Sequence, residues 1–311
     1  MRSSGRLAPE FMELPRTQSL EGCGLPPEAM LADEMERLGI SSRPVHILVS
    51  AKTGARHRND IVCHRCAGGL PPRSLIRLND DVLVASPALA FMQLAAERSE
   101  SGAAYDIEQL GQIGLELCGT YLIDTSWDGL TNTDSALTSV RQILRLLDAA
   151  KGMSGRTRAR EALDLVCDGS NSPMESVLYA LLAWPRRLGG YALGPAALNH
   201  RVATQAGVRY IDVAFPGRRV GLEYKGRRYH SIERAGRDDR RQNKLAGSGW
   251  TILNVWYEDL IQHNLFDQLI EDVAHAMGIR LRIRSARFDS RRWLLRERLL
   301  PAIASYDAMA G

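Results

Sequence analysis

Apolar and polar positions divide this chain into two stretches of different character. In the first, short runs of strand length and composition stand between turn-rich or basic segments: "VHILVS" (45–50), "IVCHR" (61–65) and "DVLVAS" (81–86). "LPPEAMLADEMERLGI" follows a pair of prolines with Met30, Leu31, Met35 and Leu38 at helical spacing. "SPALAFMQLAAE" offers Ser86 as a cap and Pro87 at the first helical position, and further helices fit 107–118 and 135–149. After Ser172 the order becomes helix, hairpin, helix, strand, helix. Residues 173–184 carry Met174, Val177, Leu178, Leu181 and Leu182 on one face. Strands at 209–215 and 219–225 flank the turn "FPGRR", and a very polar helix is predicted over 233–247. "GWTILNVW" (249–256) reads as a strand buried on both faces, and a helix over 258–276 closes the unit. The helix between strands 220–225 and 251–256 makes a crossover, so those two strands can run parallel.

This order predicts an α/β protein: a C-terminal sandwich with a mixed sheet flanked by helices, and a smaller N-terminal α+β domain. Residues 1–20 read as a leader or disordered tail, 21–150 as an accessory domain, and 151–171 as a linker with a short helix. The sandwich spans 172–278, and 279–311 is a basic extension. "KGMSGR" (151–156) is not a phosphate loop, because it lacks a preceding strand and a Gly-Lys-Ser/Thr ending.

Composition excludes several classes. The first 20 residues have no apolar core of a signal peptide, and no run of about 20 apolar residues exists for a membrane span. Five cysteines in 311 residues do not make a secreted disulfide framework, so a cytoplasmic location is expected. The formal net charge is only +4, yet residues 201–250 carry twelve Lys/Arg against five Asp/Glu. Such a basic stretch suits a polyanion; DNA is the expected partner, with RNA as an open alternative.

The chemistry lies in "RYIDVAFPGRRVGLEYKG" (209–226), where ionisable residues interrupt two apolar strands. Strand side chains alternate, so Glu223 and Lys225 share a face, and the hairpin can bring Asp212 beside them. Unpaired buried charges are costly, so these three either form a structural salt-bridged cluster or serve a metal. Two carboxylates, Asp212 and Glu223, suit Mg²⁺, with Mn²⁺ as a substitute, and Lys225 would orient a water or stabilise charge developing on phosphorus.

Asp212, then Glu223-Tyr224-Lys225, with a helix before and a strand after, resembles the PD-(D/E)XK nuclease superfamily. "SPMES", the hairpin and "DDRRQNKLAGSGW" are similar to its Vsr-like branch, grouped as domain of unknown function 559. Asp238, Arg241, Leu245, Gly249 and Trp250 follow that branch's spacing, while Lys225 stands where it usually has Asp and His230 lies one residue late. The resemblance covers about residues 172–260. It implies a restriction-endonuclease-like sandwich and a metal-dependent DNA endonuclease that nicks or cuts both strands. Asp212 and Glu223 would be metal ligands, Lys225 catalytic, Glu175 an auxiliary acid, and His230 and Gln242 further auxiliaries. Glu175 has a second reading: Ser172-Pro173-Met174-Glu175 is a capping box in which the carboxylate bonds the Ser172 backbone N–H. Phosphate contacts are expected from Arg227, Arg228, Arg237, Arg240, Arg241 and Lys244.

In the N-terminal half, His46, "KTGARHR", "CHR" and "VASPALAFMQLA" resemble the region after the winged helix in AbiEi-like antitoxin-type regulators. That implies an accessory domain facing DNA or protein, with Lys52, Arg56 and Arg58 as a phosphate-contact loop and a homodimer or protein partner as a further expectation. A zinc site through Cys63 and Cys66 is disfavoured, since a second cysteine pair is missing. The tail 280–300 has eight Arg against two acids and reads as a DNA-contacting or docking helix with its arginines outward. The rival to a nuclease is a non-catalytic DNA-binding regulator that uses a nuclease fold.

Overall fold

The structure, a computed structural model, describes residues 13–38, 40, 43–50, 60–66, 68–99, 102–124, 129–205, 207–225, 244–283 and 285–309. In chain order the first elements are β1 (Arg16–Thr17), α1 (Glu28–Arg37), β2 (Val45–Ser50), β3 (Ile61–Cys66), β4 (Leu75–Arg77) and β5 (Leu83–Ala85). Then come α2 (Pro87–Ala96), β6 (Arg98–Ser99), β7 (Gly102–Ala103), α3 (Ile107–Leu117), β8 (Tyr121–Asp124), β9 (Gly129–Asn132), α4 (Val140–Ala149) and α5 (Arg156–Leu163). The remainder is α6 (Pro173–Ala183), a single 3₁₀ turn (Arg186–Leu188), β10 (Ala197–Thr204), β11 (Gly207–Phe215), β12 (Val220–Lys225), β13 (Thr251–Trp256), α7 (Tyr257–Ile261), α8 (His263–Ala276) and α9 (Ala286–Met309). Two compact units result: residues 1–117, 122–127 and 133–164 form one, and 118–121, 128–132 and 165–311 the other. None of the helices among the described residues is long and apolar enough to cross a membrane.

The first unit is built on α2, which buries Pro87, Ala88, Leu89, Phe91, Met92 and Ala95. A helix apolar on most sides needs neighbours on most sides; here they are α3, α4 and α5. Ser86 caps it as the sequence indicates, accepting from the Leu89 N–H at 3.3 Å. The segment 151–171, expected as a linker, is divided: α5 buries Ala159, Ala162 and Leu163 in this unit, while residues from Leu165 on belong to the other. Gly155 explains the close approach. At φ 81° it caps α5, and a Cβ there would stand 2.3 Å from the Met92 carbonyl oxygen. Strands β2 and β3 pair in parallel, Ile47 with Cys63 and Leu48 with His64, as a separate two-stranded ribbon.

The second unit holds a mixed four-stranded sheet in the order β10-β11-β12-β13. β10/β11 and β11/β12 are antiparallel, and β12/β13 are parallel, as the crossover rule implies. Helix α6 packs against β11 and buries Met174, Val177, Leu178, Leu181 and Leu182 together with Glu175 and Ser176. Three expectations need correction. β10 has no counterpart among the predicted elements, which place no strand over 197–204. β13 is an outer strand of this order, with Thr251, Asn254 and Trp256 exposed, so its apolar run is not buried on both faces. The helix expected over 258–276 is two helices, broken at Gln262, whose ψ of 134° is extended. The basic extension is part of the unit: α9 buries Phe288, Leu295, Leu299 and Leu300 and packs on α6, α7 and the 3₁₀ turn. Its arginines do not all face outward. Arg296 is buried, donates to the Leu260 carbonyl at 2.7 and 3.1 Å and lies over the Phe266 ring. Arg292 donates to the Tyr191 hydroxyl at 2.8 Å and to Asp267.

Candidate active site

Alternation along β12 puts Glu223 and Lys225 on one side, and they meet there: Lys225 Nζ donates to Glu223 Oε2 at 3.1 Å, with both side chains nearly excluded from solvent. The β11–β12 register runs Phe215 with Val220, Ala214 with Gly221 and Val213 with Leu222. Just beyond that last pair, Asp212 Oδ2 accepts from the main-chain N–H of Tyr224 at 2.9 Å. The carboxylate of the first strand is therefore pinned to the backbone between Glu223 and Lys225. Gly221 makes room for the apolar packing beside it, because a Cβ there would lie 2.5 Å from Ile211 Cγ2.

On the other side of β11 in the sheet order, the β10–β11 register is constant through Leu198–Val213 and His200–Ile211, but the intervening Asn199–Asp212 pair is missing. Asn199 is left-handed there, φ 44°, a conformation that asparagine tolerates better than most residues. Its amide is thereby turned to side-chain work. Nδ2 donates to Glu175 Oε2 at 2.5 Å and to the Gly169 carbonyl at 2.9 Å, and Oδ1 accepts from Asn171 Nδ2 at 2.7 Å.

Glu175 stands in the first turn of α6 and is 7% exposed. Ser172 caps the helix, accepting from the Glu175 N–H at 3.2 Å and donating back to Oε1 at 3.0 Å. The reciprocal bond differs from the expected capping box: Oε2 accepts from the Asn171 N–H at 2.8 Å, one residue earlier than Ser172. A buried hydroxyl chain holds this turn, with Tyr121 against Ser176 at 3.2 Å, Ser176 donating to Ser170 at 2.8 Å and Ser170 to the Ser172 carbonyl at 2.8 Å. Burial, and then the negative charge of Asp212, push the Glu175 carboxyl up to about 7 against the hydrogen bonds from Asn171, Asn199 and Ser172.

Glu175 and Glu223 are thus both buried, Asp212 lies close enough to act on Glu175, and Lys225 pairs with Glu223. A divalent cation would offset the negative charge of this group, in which burial first and then Asp212 already favour the protonated form of Glu175. The fit is to an open site. Among the described residues, the one group of three His, Cys, Asp or Glu with ligand atoms all within 4.8 Å of one another is His46, His64 and Glu97 in the first unit. Glu175, Asp212 and Glu223 are not such a group, and an ion held by two of these carboxylates would fill the rest of its shell with water and substrate oxygen. Mg²⁺ is commonly held in this way.

Of the expected phosphate contacts, Lys244 is exposed in the short helical turn before Ser248. Arg227, Arg228, His230, Arg237, Arg240, Arg241 and Gln242 lie outside the described residues, as do Lys52, Arg56 and Arg58. Asn199 and the hydroxyl chain were not singled out from sequence; the signal was an asparagine interrupting an apolar run. A second feature also emerges only in three dimensions. A cavity of about 330 Å³ in the second unit is lined by Arg186, Arg187, Arg282, Arg287 and Arg291 around the buried Phe288. It joins the 3₁₀ turn after α6 to the start of α9, segments about a hundred residues apart. Comparison of the chain with family models, curated proteins and solved structures found no match.

Proposed function

We propose that the second unit is a Mg²⁺-dependent nuclease of PD-(D/E)XK type, with a restriction-endonuclease-like sandwich, that hydrolyses phosphodiester bonds of DNA. One observation carries this reading: Asp212 Oδ2 is bonded to the N–H of Tyr224, so that an acid from one strand sits against the Glu-x-Lys of the next. Asp212 and Glu223 would hold the ion. When bound, Mg²⁺ supplies positive charge to the scissile phosphate and lowers the pKa of water. The chain's own groups do the rest. Lys225, which donates to Glu223 here, would in the loaded site donate toward the attacking water or the phosphate oxygens. Glu175 lies close enough to Asp212 to feel its charge and titrates near neutrality, the range in which a carboxyl can pass a proton. The five arginines that line one cavity of the second unit give it a basic surface suited to a polyanionic substrate.

One observation favours the rival reading of a non-catalytic DNA-binding protein. Lys225 already pairs with Glu223, and Asn171, Ser172 and Asn199 already donate to Glu175, without an ion. Incubation with supercoiled plasmid, linear duplex and single strands in Mg²⁺, Mn²⁺ or EDTA separates the two. Cleavage in Mg²⁺ that EDTA stops, and that falls on the order of 10²–10³-fold in Lys225→Ala with binding kept, is the expected result. DNA binding without cleavage in any metal condition, unchanged in Glu223→Ala, would establish the regulator instead.

A further inference from the structure

The first unit contains a group of side chains that the nuclease reading does not use. In the parallel β2/β3 ribbon His46 stands opposite Val62 and Leu48 opposite His64, so the two histidines are diagonal neighbours on one face. Their rings stack with centroids 5.0 Å apart, and Nδ1 of His46 lies 2.7 Å from Nε2 of His64. Glu97, the C-cap of α2, brings a carboxylate oxygen within 4.8 Å of a ring nitrogen of each histidine. Its backbone is held on both sides, the N–H donating to Leu94 at 3.3 Å and the carbonyl accepting from Ala104 at 3.1 Å. Neither nearby thiol joins the group. Cys63 alternates to the opposite face from His64, and Cys66 Sγ donates to the Gly68 carbonyl at 3.0 Å.

We infer that His46, His64 and Glu97 form a binding site for one Zn²⁺ ion, with water as the fourth ligand. Two imidazoles at this separation must share a proton or a cation between their lone pairs. Two neutral nitrogens and one carboxylate are a borderline donor set that favours Zn²⁺ over Mg²⁺ or Ca²⁺. Tetrahedral Zn²⁺ with Zn–N bonds of about 2.0–2.1 Å sets its ligand atoms about 3.3 Å apart, so the two nitrogens, 2.7 Å apart here, need to open by about 0.6 Å. The ion has a structural task available. A two-stranded parallel ribbon is weak by itself, and this site ties both of its strands to the end of α2, the helix at the centre of the unit.

The test uses the full chain, stripped with EDTA and then titrated with ZnCl₂ in excess MgCl₂. The expected result is one Zn²⁺ per chain, a rise in melting temperature on binding, and visible absorption of a four- or five-coordinate ion when Co²⁺ replaces Zn²⁺. His64→Gln and His46→Gln should abolish the uptake, and Glu97→Gln should weaken it at least about tenfold. Cys63→Ser and Cys66→Ser, and the pair Asp212→Asn with Glu223→Gln, should leave it unchanged, which keeps this site distinct from the proposed nuclease centre. Equal melting temperatures of wild type and variants in EDTA show that loss of metal is not loss of fold. No uptake by the folded wild-type protein, uptake that survives both histidine variants, or uptake that disappears with the cysteines would each overturn the assignment.

Discussion

Glu223 and Glu175 are both buried acids a short way apart in the same unit, and they are stabilised differently. Glu223 has a cation of its own, Lys225 at 3.1 Å. Glu175 has only neutral donors on its oxygens, Asn171, Ser172 and Asn199, and a neighbouring negative charge, Asp212. Dipoles reduce the cost of burying a carboxylate, but here burial and Asp212 outweigh them, and the group moves to about 7. One acid is given a countercharge, while the other has dipoles that leave it poised between states. A site that needs a fixed ligand and a titrating group can take both from one corner of a sheet.

The largest test of that contrast removes the countercharge. Lys225→Met should destabilise the protein by about 3–5 kcal/mol, because it strands a buried carboxylate, and a second change, Glu223→Leu, should restore most of the loss. Urea unfolding of the three variants measures it. A loss under about 1 kcal/mol would mean that Glu223 behaves like a solvated surface partner. Next in size is the proton linkage of Glu175. Its folded pKa lies above the ordinary carboxylate value, so the folded state keeps a proton that the unfolded chain releases. The resulting stabilisation is complete below pH about 4.5 and is lost as pH rises through about 7, amounting to at most about 3 kcal/mol. Unfolding free energies from pH 4 to 8 should show that decline in wild type, and Glu175→Gln should flatten the difference. The smallest expected effect sits at Asn199. Asn199→Ala loses the donor to Glu175 and must keep a left-handed backbone at φ 44°, together worth about 2 kcal/mol. Asn199→Gly relieves the backbone part alone, and in both variants the pH midpoint of the Glu175 step should move upward as the dipole is lost.

Much of the site was legible because it is local. Glu223 and Lys225 lie two apart on a strand, the "FPGRR" turn closes the hairpin, and Ser172-Pro173 announces the start of α6. The failures share a cause in the environment. β10 escaped notice because Asn199, His200 and Arg201 break its alternation, and the break is the left-handed residue that feeds Glu175. The apolar run of β13 predicts a strand buried on both faces, but how much of a strand is covered depends on what stacks upon it. The break at Gln262 has no Gly or Pro to mark it. Arg292 and Arg296 carry the same charge as their exposed neighbours, and only the positions of Asp267, Tyr191 and Leu260 turn them inward.

The sequence by itself determined the α/β class, the helix caps, the hairpin, the parallel return of β13 and the shared face of Glu223 and Lys225. These follow from side-chain period, turn residues and chain connectivity, which act over a few residues. The tertiary structure alone decided that Asp212 is pinned to the Tyr224 N–H, that Glu175 rises to about 7, that five arginines surround one cavity and that His46, His64 and Glu97 come together. Each of these depends on distance and burial between groups far apart in the chain, and charge energies vary with those quantities rather than with residue type.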